Sequence, residues 1–376
     1  MAMPDKAAST GKDSLLEALI PALFNKALSL SKAGRTEEAL VVYADLDDRL
    51  KDATEPQWQL YGAMTLANQA SCFRILQNPQ AEIATHDRLI ERFGNLPDTE
   101  LQIYVGKSLF DKAVLLSNAE KYQDAIDSYD ALIQHFSENP LPLLQSGVAK
   151  ALFNKASLFS KMNETEKSIA CCDDLLTRFA DNKDPNIEKI VANTLLNKAG
   201  CIEKLGQHDR MIAAYDRFLN RFSDSKEADI QLCLALVSIK KAEAFKNNDQ
   251  LEEAFSIYES LIHRFEKDES DEMAFQLAKA YINAADILCR LQRRADENNL
   301  YTAFITRFLS TKEPSLQIAV ATALIKKATN LVAKGQVKEA IDCYDLVLNS
   351  LDDSENQELK KYHILAEKEK NSLETV

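Results

Sequence analysis

A tetrapeptide, Phe24-Asn25-Lys26-Ala27, returns in varied form every 43 residues along this chain. The returns are Asn68-Gln69-Ala70, Asp111-Lys112-Ala113, Asn154-Lys155-Ala156, Asn197-Lys198-Ala199, Lys240-Lys241-Ala242, Asn283-Ala284-Ala285 and Lys326-Lys327-Ala328. Eight copies without slippage mean one structural unit stacked eight times. That arithmetic overrides the two or three globular domains that 376 residues would otherwise suggest.

Each unit reads as a long helix, a tight turn, a second helix and a short polar connection. In the third unit Asp98 can cap a helix running towards Asn118, with Leu101, Val105, Leu109, Ala113 and Leu116 on one face. A turn follows near Glu120, and the second helix carries Ala125, Tyr129, Leu132, Ile133 and Phe136 at spacings of three and four. Laid over one another, the units share an Ala in all eight copies, as expected where two helix backbones approach closely. They also share an apolar register, Leu15, Trp58, Leu101, Leu144, Ile187, Ile230, Met273 and Leu316, which predicts a buried Trp58. An aromatic register holds Tyr43, Tyr129, Tyr215, Tyr258, Tyr301 and Tyr344, with His86 and Cys172 filling it twice. These aromatics read as core, because every repeat must bury one. Gly34, Gly206 and Gly335, with Asn163 and Asp249 at the same register, suit a left-handed turn between helices.

At this point the residues resemble the tetratricopeptide repeat family, over residues from about 12 to 355. The family's pattern falls on Leu23, Lys26, Ala27, Leu30, Ala39 and Tyr43, and again on Leu152, Lys155, Ala156, Phe159, Ser168 and Cys172. Its Leu is here mostly Lys, its terminal Pro is missing, and each unit is nine residues longer than the usual 34, which appears as a longer first helix. The resemblance implies an all-α fold: a right-handed α-solenoid of about eight antiparallel helix pairs over residues 13–355. A disordered leader over 1–12 precedes it, and a capping helix and tail over 356–376 close it. Solenoids of HEAT or armadillo type, with periods near 43, are the structural alternative.

Composition bounds the partners. Against 58 acidic residues stand 45 basic ones, a net charge of −13, so neither nucleic acid nor a membrane is expected as partner. Seven cysteines and five histidines show no metal-ligand spacing, so no metal, disulfide framework or cofactor is expected, and the thiols read as buried and reduced. Glu17 and Pro21 interrupt the only apolar run near the N-terminus, and no stretch approaches the roughly 18 apolar residues of a membrane span, which together predict a cytoplasmic protein. With only nine glycines and no nucleophile elbow, nothing points to an enzyme.

Four polar registers recur. Lys26, Lys112, Lys155, Lys198, Lys241 and Lys327 are followed eighteen residues later by Asp130, Asp173, Asp216, Glu259 and Asp345, opposite five of the lysines. Ala284 and Thr302 remove both charges in the seventh unit, which predicts a cross-helix ion pair within each repeat. The arginines Arg49, Arg92, Arg178, Arg221, Arg264 and Arg307 stand where a cation complements the dipole at the end of a second helix. Asn25, Asn68, Asn154, Asn197 and Asn283, with Asp111 in a sixth unit, form an amide row. The resemblance implies that this row faces the concave groove and holds a peptide backbone; the alternative is that each Asn bonds the neighbouring repeat and fixes stacking. One turn earlier, Lys107, Lys150, Asn193 and Lys279 would add a cationic centre suited to an acidic segment or a terminal carboxylate.

The expected function is a non-catalytic interaction scaffold for a peptide or protein partner. A ligand-responsive regulatory subunit acting on a separate effector, and a structural assembly module, are the alternatives.

Overall fold

The structure, a computed structural model, describes residues 6–351 and 356–374, with side chains from residue 17 onward. It forms two compact units, Met1–Leu205 and Gly206–Val376. The first holds α1 (Lys6–Lys32), α2 (Thr36–Leu50), α3 (Pro56–Ile75), α4 (Pro79–Phe93), α5 (Thr99–Asn118), α6 (Tyr122–Phe136), α7 (Pro142–Lys161), α8 (Thr165–Phe179) and α9 (Pro185–Lys204). The second holds α10 (His208–Phe222), α11 (Ala228–Asn247), α12 (Leu251–Arg264), α13 (Asp271–Arg290), α14 (Arg294–Phe308), α15 (Pro314–Ala333), α16 (Val337–Ser350) and α17 (Gln357–Glu374). No strand occurs among the described residues, and the fold is the all-α solenoid of helix pairs expected above. Of the leader expected over 1–12, residues 1–5 lie outside the described residues and the backbone from Lys6 runs in α1.

The helix boundaries follow from local chemistry. From α3 onward the first helix of each repeat starts 43 residues after the one before, at Pro56, Thr99, Pro142, Pro185, Ala228, Asp271, Pro314 and Gln357. Pro suits the first helical turn because its missing N–H would be unsatisfied there anyway. Asp98 and Asp184 are true caps, their carboxylates accepting from the backbone N–H of Leu101 at 3.0 Å and of Asn186 at 2.8 Å. At the other end the chain turns through a left-handed residue at one register, Gly34, Gln77, Glu120, Asn163, Gly206, Asp249, Gln292 and Gly335. The residue after it closes the turn by donating its N–H five residues back, as Lys121 does to the Leu116 carbonyl at 2.9 Å and Glu164 to that of Phe159 at 2.8 Å. Three of these left-handed positions carry Gln or Glu, residues that pay a steric cost for that conformation.

Within each unit every helix packs on the next, and first helices also pack on the following first helix: α1, α3, α5, α7 and α9 in one unit, α11, α13, α15 and α17 in the other. Second helices make no such contact with one another among the described residues. The first helices are therefore the closely spaced layer, on the inner side of the curve within each unit.

The core is built from the repeating registers. The shared Ala is at most 1% exposed in all eight copies, from Ala27 to Ala328. All six register tyrosines are buried, as are His86, Cys172 and the phenylalanines Phe93, Phe136, Phe179, Phe222, Phe265 and Phe308. Each such phenylalanine contributes on the order of 1.5–3 kcal/mol. Arg92, Arg221, Arg264 and Arg307 lie over the following Phe, 4.9–5.5 Å from its ring centre. Trp58 departs from expectation: it is only partly buried and tilts against Tyr61, with ring centres 6.0 Å apart. A further departure is α15, which by length and composition alone is apolar enough to cross a membrane. Its Leu316, Val320, Ala321, Leu324, Ala328 and Leu331 are buried in the stack. The seven cysteines are unpaired, and burial pushes the Cys172 thiol up to about 12.

The ion pairs correct the sequence reading. Four of the six register lysines meet the acid 25 residues behind them, on the second helix of the preceding repeat, and not the acid eighteen ahead, and Lys370 of α17 does the same. Lys112 pairs with Asp87 at 2.6 Å, Lys155 with Asp130, Lys198 with Asp173, Lys241 with Asp216 at 2.6 Å, and Lys370 of α17 with Asp345 at 2.6 Å. A first helix lies closer to the second helix before it on this face, so the clamp joins repeats instead of closing one. Ala284 and Thr302 accordingly do not remove one pair together; each removes half of a different one, leaving Glu259 and Lys327 without their counterparts. The arginines are corrected likewise. Arg264 donates to the Ser223 carbonyl at the C-cap of α10, and Arg307 to those of Glu266 and Asp268 in the loop after α12, so they tie down the chain where it leaves the preceding second helix. Arg49 and Arg178 instead pair within their own helices, with Asp45 at 2.9 Å and Asp174 at 2.7 Å.

Candidate functional site

The amide row is largely occupied by the stack. Asn154 donates to the Tyr129 hydroxyl at 3.0 Å, and Asn197 reaches the Ser157 hydroxyl at 3.5 Å, each crossing to the repeat before. Asn283 accepts from the Lys246 ammonium at 3.0 Å while donating to the Lys279 carbonyl at 3.0 Å. Asp111 is held by Arg74 of α3 at 3.1 Å. Asn68 turns back on the Met64 carbonyl of its own helix at 2.8 Å, and Asn25 is exposed on α1. These contacts favour the stacking alternative at four of the six positions. Each Asn amide nevertheless keeps further donor and acceptor capacity.

The cationic row divides. Lys279 is engaged by Glu243 at 3.0 Å. Lys107 on α5, Lys150 on α7 and Asn193 on α9 are exposed, and none has a hydrogen-bond or ion-pair partner among the described residues. The structure brings Lys107 and Lys150 to the rim of one apolar pit of about 170 Å³ between α5 and α7. Phe110 and Leu144 wall the pit, and Leu132 and Phe136 of α6 floor it. Leu143 stands on the rim with 62% of its surface exposed. Nothing in the periodicity pointed to a cavity here. The one signal was Gly147, a helix-interior glycine in a chain with nine glycines, at the register where the two preceding repeats have Tyr61 and Tyr104.

The second and seventh units, irregular in sequence, hold buried polar clusters. Glu82 and Glu297 replace the small residue of the second helix and are 1% and 2% exposed. Arg74 grips Glu82 at 2.6 Å, while Glu297 accepts from Arg294 at 3.1 Å and from the Tyr301 hydroxyl at 3.2 Å. His86 is 3% exposed, with neither ring nitrogen hydrogen-bonded, and lies 3.9 Å from Glu82. Burial lowers its pKa to about 4, against the opposing pull of Asp111. Where the third and fourth repeats pair Tyr129 with Asn154, this junction has His86 and Asp111, and the aspartate has gone to Arg74.

A wider cleft, about 790 Å³, opens among α2, α3 and α4, where Ala44 and Gln69 replace the clamp. Its arginines are engaged: Arg88 and Arg92 both bind Asp47, at 2.5 and 3.2 Å. Sequence reasoning also missed a glutamine register, Gln59, Gln102, Gln145, Gln231 and Gln317, whose amides donate to carbonyls just beyond the preceding helix, as Gln145 does to Ser137 at 3.2 Å. Its recurrence at the common period was the available signal. No group of three or more His, Cys, Asp or Glu is placed to hold a metal among the described residues.

Comparison with known proteins gives two profile matches to the tetratricopeptide repeat, at residues 149–182 and 194–225. The first match begins part-way along α7 and ends after α8. No curated protein matches the sequence. Among solved structures, the chain is similar to a tetratricopeptide repeat protein from Parabacteroides merdae ATCC 43184, with 16% identity, a TM-score of 0.40, and 81% of this chain and 98% of that one covered. It is also similar to the apo form of RapI, with 11% identity, a TM-score of 0.48 and coverage of 95% and 99%. A third is YrrB, described as having an unusual peptide-binding site, with 14% identity, a TM-score of 0.37 and coverage of 65% and 99%.

Proposed function

We propose that this tetratricopeptide repeat protein is a non-catalytic interaction scaffold, taking a peptide or protein partner on the exposed side of its first helices. One observation carries the reading: Lys107 and Lys150 line one pit without partners among the described residues, in a protein of net charge −13 where Lys112, Lys155, Lys198 and Lys241 are all clamped. An ammonium left unpaired beside an apolar surface, in a field that is negative overall, favours a ligand bringing its own carboxylate. Asn193 continues the same row on α9, and the spare amide capacity of Asn25, Asn68, Asn154 and Asn197 can reach a bound backbone. Asn283, Asp111 and Lys279 contribute less, because each is already held by a charged neighbour.

The test is an affinity capture from native lysate, comparing the wild type with the double reversal Lys107→Glu and Lys150→Glu at matched melting temperature. A partner retained by the wild type and lost by the double variant is expected. A partner set unchanged by the reversal would move binding to another face.

A further inference from the structure

We propose that the pit between α5 and α7 is a pocket for one bulky apolar side chain of a peptide, leucine or phenylalanine, whose adjoining carboxylate is held by Lys107 and Lys150. This rests on the interaction-face reading above and narrows it to a ligand chemistry.

Gly147 lines the pit and puts no side chain into it. A Cβ built on Gly147 would meet nothing within 4 Å, so no close approach of backbones demands glycine there. The contrast is Gly106 across the pit, where a Cβ would come 2.7 Å from Leu144 Cδ2. At the same register the neighbouring repeats carry Tyr61, Tyr104 and Ile190, side chains large enough to fill such a space. Glycine inside a helix costs stability relative to alanine, and here no packing gain offsets it.

The volume suits the occupant. About 170 Å³ lined by Ile103, Phe110, Leu132, Phe136 and Leu144 is on the scale of apolar cavities, about 150 Å³, that accept a benzene-sized guest. The rim supplies selectivity. Leu143 leaves a large apolar surface in solvent beside the mouth, and the two unpaired ammoniums flank it. Together they match a residue that is apolar at its tip and has a negative charge close to its backbone. Two peptide sources meet that description: a C-terminal Leu or Phe, or an internal one next to Asp or Glu.

Fluorescein-labelled peptides read by anisotropy test this with the full chain. The probes are Gly-Ser-Gly-Leu as free acid and as amide, Gly-Leu-Glu-Gly amide, and the same peptides with Ala for Leu. At least tenfold tighter binding of one carboxylate-bearing Leu probe over its Ala counterpart is expected. Preference for the free acid assigns the carboxylate to a peptide terminus, and preference for Leu-Glu assigns it to a side chain. Gly147→Tyr, and separately Gly147→Ile, should reduce that probe to the Ala level with both lysines intact. Lys107→Gln with Lys150→Gln should weaken it at least tenfold and flatten its salt dependence. Equal binding of Leu and Ala probes, no binding of any probe, or undiminished binding to both Gly147 variants would overturn the pocket. A lysate partner lost by the lysine reversal but kept by Gly147→Tyr would leave the interaction face standing and remove the pocket alone.

Discussion

Lys155 reaches back 25 residues to Asp130 and leaves Asp173, eighteen ahead of it, to Lys198. Lysine stems lie in the junction with their ammonium at its edge, the lysine 17% and the aspartate 50% exposed. A double-mutant cycle on Lys155→Ala and Asp130→Ala should give a coupling of roughly 0.5 kcal/mol, in the range of partly solvated pairs. The same cycle on Lys155 and Asp173 should give none, by denaturant unfolding.

Turn residues offer a second measurement. Gln77, Glu120 and Gln292 hold φ of 54°, 59° and 59°, the left-handed region. Replacing each with Gly should raise stability by about 1 kcal/mol, because the Cβ penalty exceeds the added chain entropy. Gly34→Ala, at the same register with φ of 76°, should lower it by a similar amount.

The buried His86 should make stability depend on mild acid. Its folded pKa of about 4 lies below the ordinary value of 6.5, so protons bind the unfolded chain first. Stability is therefore full above pH 6.5 and falls as pH drops towards 4, by up to about 3 kcal/mol from this group. His86→Tyr, the residue of six other repeats, should flatten that window relative to wild type in thermal melts at stepped pH.

Gly147→Ala should stabilise the chain by about 0.5–1 kcal/mol, since helix propensity improves and its Cβ meets no neighbour. A loss in melting temperature would mean that the space around residue 147 is filled.

The fold was legible because it is written eight times. The Ala, Tyr and Phe registers, the Asp98 cap and the left-handed turn at Gly34, Asn163 and Asp249 all stand where the repeat put them. Pairing was less legible. In a chain of period 43, Lys112, Lys155, Lys198 and Lys241 each have one acid eighteen ahead and another 25 behind, and the sequence offers no means of choosing. The choice is made by which second helix lies nearer the lysine's face, a property of stacking. The site was legible in part. Lys107 and Lys150 were visible as a row, but a pit is an absence of atoms, and only the neighbours of Gly147 give it walls.

Each clamp is half in one repeat and half in the next, so the joint, not the repeat, is the interchangeable part. Removing residues 142–184, one period, would set Lys198 opposite Asp130 and restore the same lysine–aspartate clamp. The run from Asp87 to Lys241 can thus lengthen or shorten by whole words and remain grammatical. Ala44 with Gln69, Glu259 with Ala284 and Thr302 with Lys327 fit no such exchange, which fixes the order of the repeats at both ends of the sentence.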